Sequence, residues 1–152
     1  MKIQVIPYDR KYRAQSIEIA REMVRDSAYG DMPFDGEKVM DQIEGPFSQG
    51  GQYFFKIAVL GDEVYGGFLG MVFRSLFCDQ LIAKDIGWWV KKSKRGSAAA
   101  IALLREFEAW GVASGAVKLM VGQASGIDIE KTTKLYQHCG YSVVGYNTMK
   151  NT

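Results

Sequence analysis

The sequence predicts an α/β chain in which a mixed β-sheet is flanked by helices, with elements in the order βααβββαβαβ. Three observations lead there. Apolar residues recur at helical spacing near the start of the chain and again in its second half. Between Tyr53 and Phe73 the pattern changes to β-branched and aromatic runs around a Gly61-Asp62 turn. After Leu81, strand-like and helix-like stretches alternate.

Taken in order, residues 2–8 alternate around Ile3, Val5 and Pro7 and read as a first strand. From 11 to 28, Ile17, Ala20, Met23 and Val24 fall on one helical face, with Arg13, Glu18, Arg21 and Arg25 between them. Tyr29-Gly30-Asp31-Met32-Pro33 ends that helix. Asp35 caps a second, shorter helix carrying Val39, Met40, Ile43 and Phe47, and Gly45-Pro46 limits its length. Tyr53–Leu60 and Val64–Phe73 form a hairpin about Gly61-Asp62, and Gly66, Gly67 and Gly70 mark bends or close approaches of another backbone. A strand over 81–90 is followed by a helix over 97–111, whose broad stripe is read through Ile101, Leu104, Phe107 and Glu108, with Leu103 and Trp110 alongside. Then come a strand over 118–123, a helix over 129–139 closed by Gly140, and a last strand over 141–146.

The chain has 152 residues, 47% of them hydrophobic, which suits a single domain over 1–152 with a continuous core. The formal net charge of +2 excludes general polyanion binding as the purpose of the whole chain. Cys78 and Cys139 make neither a disulfide framework nor a zinc site, and His138 is the only histidine, so no metal is expected. With no long apolar run and no signal-like start, the expectation is a soluble cytoplasmic protein that does not engage a membrane.

The chemistry concentrates in Val90-Lys91-Lys92-Ser93-Lys94-Arg95-Gly96-Ser97-Ala98, between a strand and the strongest helix. The first turn of a helix leaves its N–H donors unpaired and places partial positive charge there, a setting that suits a pyrophosphate. Gly96 lets the backbone approach phosphates, and Ala98 keeps the next turn small. A solvated charge run is the plainer reading of the same residues, and an RNA patch is a third; aromatics for base stacking are absent within 91–98. Gly66-Gly67-Phe68-Leu69-Gly70 opens no helix and is not a dinucleotide loop. Trp88 and Trp89 should face opposite sides of their strand.

Ser93-Lys94-Arg95-Gly96-Ser97-Ala98, in its place between strand and helix, resembles the Gln/Arg-x-x-Gly-x-Gly/Ala loop of the GNAT family of acetyl-CoA-dependent N-acetyltransferases. Leu135-Tyr136-Gln137-His138-Cys139-Gly140-Tyr141 is similar to that family's Leu-Tyr-x-x-x-Gly-Phe signature, and residues 61–70 to its central hairpin. Ser93 departs from the usual Gln or Arg, with Lys92 or Lys94 available to compensate, and Ile129 stands where an Asn is frequent. Small stand-alone versions from tailed phages look most similar, which would place the protein in a host cytoplasm.

The resemblance implies a GNAT-like fold and transfer of an acetyl group from acetyl-CoA to an amine by direct attack. Trp89, Val90, Lys92, Ser93, Lys94, Arg95, Gly96, Ser97 and Ala98 would then hold the cosubstrate. The strand ending at Val90 and the one starting at Lys118 would splay to admit the pantetheine arm, and a backbone N–H near Trp89 or Val90 would serve the oxyanion. Tyr136 would protonate the departing thiolate and Asp85 would take the amine proton, directly or through water. Against these roles stand an aromatic packed on Ile129 and Thr133, for Tyr136, and a solvated strand residue, for Asp85. The alternative function is a catalytically idle domain of this fold that binds CoA, a protein or RNA. Nucleic acid is the least expected partner, and a homodimer is left open.

Overall fold

The structure is a computed structural model that describes all 152 residues. Its elements are β1 (Gln4–Pro7), α1 (Arg13–Asp26), α2 (Gly36–Phe47), β2 (Tyr53–Leu60), β3 (Glu63–Arg74), β4 (Leu81–Val90), α3 (Ala99–Ala113), β5 (Ala116–Met120) and α4 (Ile129–His138), with short 3-10 turns at Arg10–Tyr12 and Lys92–Lys94. The strands lie side by side in the order β1-β2-β3-β4-β5. All neighbours are antiparallel except β4 and β5, which are parallel.

The central strands are apolar on both sides because both faces of the sheet are covered. Phe54 and Phe68 pack on one face against Leu103, Leu104 and Phe107 of α3, while Phe55, Ile57 and Val59 pack on the other with Tyr12 and Ile19. Asp35 caps α2 as its position predicts, its carboxylate accepting the Lys38 N–H at 3.1 Å. Pro46 lies inside that helix, one residue from its end. Arg13 ties α1 to α2 through Glu37, Asp41 and Glu44, and the Tyr8 hydroxyl donates to Glu44 at 2.6 Å.

Three sequence expectations need correction. The stripe of α3 is centred on Ala99, Leu103 and Phe107, and Ile101 points outward, 40% exposed. β5 ends at Met120 rather than at Gln123. The last strand over 141–146 does not form: residues 141–152 carry no regular structure, and their one backbone hydrogen bond is Tyr141 N–H to Tyr136 O, closing α4. Val143, Val144 and Tyr146 have strand-like side chains but find no ladder, and propensity without a partner edge does not hold a strand.

The glycines of β3 are explained by what lies above them. A Cβ on Gly67 would stand 2.7 Å from the Trp89 ring, and one on Gly70 would stand 2.7 Å from the Phe107 ring. Gly70 also faces the bulge of β4. Leu69 pairs with Gly87 but Gly70 with Asp85, so Ile86 is an extra residue pushed outward. The bulge shifts the side-chain alternation and brings Asp85 and Trp88 to the α3 face together.

Gly70→Ala should therefore overpack Phe107 and cost about 1–3 kcal/mol, read as a lowered midpoint in thermal melting.

Candidate active site

After Val90 the chain leaves the sheet, makes the 3-10 turn Lys92–Lys94, and enters α3 at Ala99. Gly96 has φ +88°, and nothing lies within 4 Å of where a Cβ would sit. Glycine is needed there for its backbone conformation and not for packing. The N–H groups of Gly96, Ala98, Ala100 and Ile101 have no protein acceptor, while that of Ala99 is capped by Ser97 Oγ at 3.3 Å. The start of α3 thus presents a cluster of free donors at the positive end of the helix dipole.

The basic side chains divide unequally. Lys91 pairs with Glu63 at 3.0 Å, Lys94 with the same carboxylate at 3.4 Å, and Lys92 with Asp26 at 2.9 Å. The adjacent lysines hold the Glu63 and Asp26 carboxyls below the usual carboxylate range. The Lys92 N–H is also taken, by Glu22 of α1 at 2.8 Å. Arg95 alone of the four cations is exposed and unpaired. The loop is neither a bare solvated charge run nor a field of four free cations. It is a segment pinned to α1 and β3, with backbone donors and one guanidinium turned outward. Ser93 is exposed and bonded to nothing.

Along β4 the second half of the strand has lost one neighbour. β5 pairs only with Leu81–Lys84, the last partners being Lys84 and Met120. From Asp85 to Val90 the strand is bonded to β3 alone. Beyond Lys84 the opposite backbone edge has no partner strand, the open side of a wedge whose closed end is the Lys84–Met120 pair. Trp88 and Trp89 do face opposite sides: Trp88 packs toward α3, and Trp89 toward Phe55 on the α1 and α2 face.

At the apex of the wedge Asp85 and Tyr136 meet on one residue. Asp85 Oδ1 accepts the Gly122 N–H at 3.1 Å, and the Tyr136 hydroxyl donates to the Gly122 carbonyl at 2.8 Å. Tyr136 lies against Trp88 and Tyr141, with ring centroids 5.6 and 6.1 Å away, and not simply along its own helix. Burial, reinforced by the Asp85 carboxylate, raises the Tyr136 pKa well above that of a free phenol, so it keeps its proton at neutral pH. Burial also pushes Asp85 up to about 6, with the Gly122 N–H and Lys84 pulling the other way. The solvated reading of Asp85 does not hold, since desolvation dominates its environment.

Sequence reasoning missed Gly122, the joint between the two side chains, because a glycine past the end of a strand carries no chemical signal. It also missed the carboxylates of Glu22, Asp26 and Glu63, which lie far from the loop in sequence. Tyr141 was open to detection: it adds a hydroxyl where the signature has phenylalanine, and that hydroxyl is buried without a partner.

No protein-family model matches the chain, and no curated protein sequence does. Solved structures match over its whole length at low identity. Glucosamine-6-phosphate N-acetyltransferase from Arabidopsis thaliana superposes with a TM-score of 0.76 at 11% identity, covering 99% of each chain. Ribosomal-protein-alanine N-acetyltransferase from Brucella melitensis does so at 0.74 and 11%, again over 99% of both. AAC(6')-Iy, in complex with the bisubstrate analogue CoA-S-monomethyl-acetylneamine, matches at 0.74 and 14% over 100% of this chain and 99% of its own. The fold is that of the GNAT acetyltransferases. No helix is long and apolar enough to cross a membrane.

Because folded Asp85 holds its proton up to about pH 6 against an ordinary 3.8, folding favours its neutral form. That contribution is complete below about pH 4 and is lost as pH rises through 6. Asp85→Asn stays neutral and can still accept the Gly122 N–H. Its melting midpoint should exceed that of the parent at pH 8 and converge with it by pH 4. A gap that does not vary with pH would mean that the carboxylate charge is not what burial penalises.

Proposed function

We propose that the protein is an N-acetyltransferase that moves an acetyl group from acetyl-CoA to an amine by direct attack. The observation that carries the proposal is the wedge beyond Lys84, with unpaired amides at its mouth and the Asp85–Gly122–Tyr136 assembly at its apex. The pyrophosphate is bound by the N–H groups at the start of α3 and by Arg95. The pantetheine arm, which has amide donors and acceptors of its own, bonds the free edge of β4 as a substitute strand and carries the thioester toward Gly122.

The chemistry then has a residue for each proton. The amine nitrogen bonds to the thioester carbonyl carbon, and an N–H on the open edge of β4 near Trp89 or Val90 stabilises the oxyanion. Asp85, predominantly ionised at neutral pH with a pKa of about 6, accepts the amine proton directly or through a water. As the C–S bond breaks, the Tyr136 hydroxyl turns from the Gly122 carbonyl and passes its proton to the thiolate. The products are the N-acetylated amine and CoA.

The pairing of three lysines with carboxylates argues against RNA at this loop, since polyanion affinity grows with the number of free cations and one remains. An idle CoA-binding domain differs from the enzyme in turnover and not in binding, so binding and turnover are tested separately.

Acetyl-CoA at a hundredfold its Kd should stabilise the protein by about 2.7 kcal/mol, raising the melting midpoint by several degrees. Gly96→Asp, which sets a carboxylate against the phosphates and a side chain at φ +88°, should abolish that shift and leave the protein folded. If ATP or a short RNA stabilises the parent as well as acetyl-CoA does, the coenzyme assignment fails.

Tyr136→Phe keeps the ring against Trp88 and removes only the hydroxyl. Acetyl transfer should fall about 10²–10⁴-fold with acetyl-CoA affinity nearly unchanged. Equal turnover in the two proteins would make Tyr136 a packing residue.

A further inference from the structure

A groove of about 1110 Å³ runs along the side of β5 that faces away from β4. Every residue from Val117 to Ala124 lines one of its walls, every residue from Cys139 to Met149 lines the other, and no residue of β4 lines either. Side chains of a strand alternate between faces, so a groove across one face would touch every second residue. Contact with consecutive residues places this one between two backbone edges. Neither edge carries a ladder on this side. β5 is the last strand of the sheet, and residues 142–149 make no backbone–backbone hydrogen bond. A single hydrogen bond joins those residues to the β5 wall, from Asn147 Nδ2 to the Gln123 carbonyl at 3.2 Å.

Such walls fit a strand. Half of the large apolar side chains that the chain leaves exposed line the groove, Val117, Met120, Val143, Val144 and Tyr146 among them, and a concentration of that kind marks an interaction site. Its two charged residues select no ionic ligand, since Glu108 is paired with Arg105 at 3.2 Å and Lys118 is a lone cation. What both walls leave unmatched is peptide N–H and C=O, and an inserted strand matches both rows at once. The chain itself has a strand-like segment with both edges free, residues 141–149. That segment cannot fill the gap it bounds. The same segment of a second copy can.

We propose that the protein is a two-fold symmetric dimer in which each copy lays residues 141–149 into the groove of the other. The sheet then continues from β5 of one copy through the second copy's segment and the first copy's segment to β5 of the second. Each exchanged segment is bonded on one edge to a β5 and on the other to its counterpart, antiparallel across the two-fold axis, so one operation closes both grooves. The area suffices. Nine extended residues, about 1 kDa, expose roughly 1,450 Å². Covering half of each of two such segments removes about that much again before the receiving walls are counted, within the roughly 1,200–2,000 Å² of a stable interface. Pairing across copies also gives residues 141–146 the ladder that one copy does not provide. Tyr136 lines the same groove, so each candidate site borrows a wall from its partner. The inference does not depend on acetyl transfer.

Sedimentation equilibrium of the full chain should give twice 17.0 kDa. Hydrogen exchange on the same sample should show protected amides at 117–121 and 142–147. In a strand paired on both edges every N–H is bonded, so Val144→Pro removes a ladder bond, at a side chain 90% exposed in the single copy. It should weaken the dimer at least about tenfold, release those amides to free exchange and leave the far-UV spectrum of the monomer intact. Phe77→Asp, on the other exposed apolar tip between β3 and β4, should leave association as it is. A parent that sediments as a monomer overturns the inference, and so does a dimer whose 142–147 amides exchange freely. Protection of those amides in a monomer would mean that the segment folds onto its own β5. A dimer that survives Val144→Pro, or is lost with Phe77→Asp, would put the interface elsewhere.

Discussion

The structure depends on where the parallel ladder between β4 and β5 stops. Pairing ends at Lys84 and Met120, and two residues later the peptide groups of Gly122 take their partners from side chains, Asp85 for the N–H and Tyr136 for the carbonyl. Gly122 is exposed, so burial does not force these bonds on it; they take the place of a neighbouring strand and hold the chain after Met120 against β4. The same two bonds place a carboxylate and a phenol at the closed end of the opening, so the anchoring of the backbone and the equipment of the candidate site are one feature.

The bulge at Ile86 makes this possible. Without the extra residue, strict alternation along β4 would separate Asp85 and Trp88 onto different faces. With it, both turn toward α3, where Trp88 supports the Tyr136 ring and Asp85 reaches Gly122. Gly70 sits opposite, small enough to admit Phe107. Packing of the core and aim of the site are thus coupled through a few residues of β3 and β4. Burial of Asp85 is a stability cost at neutral pH that is retained where the proposed chemistry requires a carboxylate poised near 6.

On the other side of the wedge, the basic loop gains its character from distant carboxylates. Glu22 and Asp26 of α1 and Glu63 of β3 neutralise three lysines and fasten the loop to the body of the domain. What remains for an anion is the set of backbone donors before and within the first turn of α3, and Arg95. This arrangement favours a ligand with one compact phosphate cluster over a long polyanion.

Much was decided by local sequence. The hairpin about Gly61, the caps at Asp35 and Gly140, and the bounds of β4 follow from turn chemistry and side-chain period, which act within a few residues. The strand-loop-helix setting of Arg95-Gly96-Ser97-Ala98 was legible for the same reason, as was Tyr136 within its short signature. Tertiary structure alone decided three matters. It joined Asp85 and Tyr136 through Gly122, paired three of four basic side chains with remote carboxylates, and left residues 141–146 without a ladder despite their strand-like composition. Each of these depends on what a distant segment brings within hydrogen-bond reach. A charge is free or paired, and a strand forms or does not, according to neighbours that sequence spacing does not reveal.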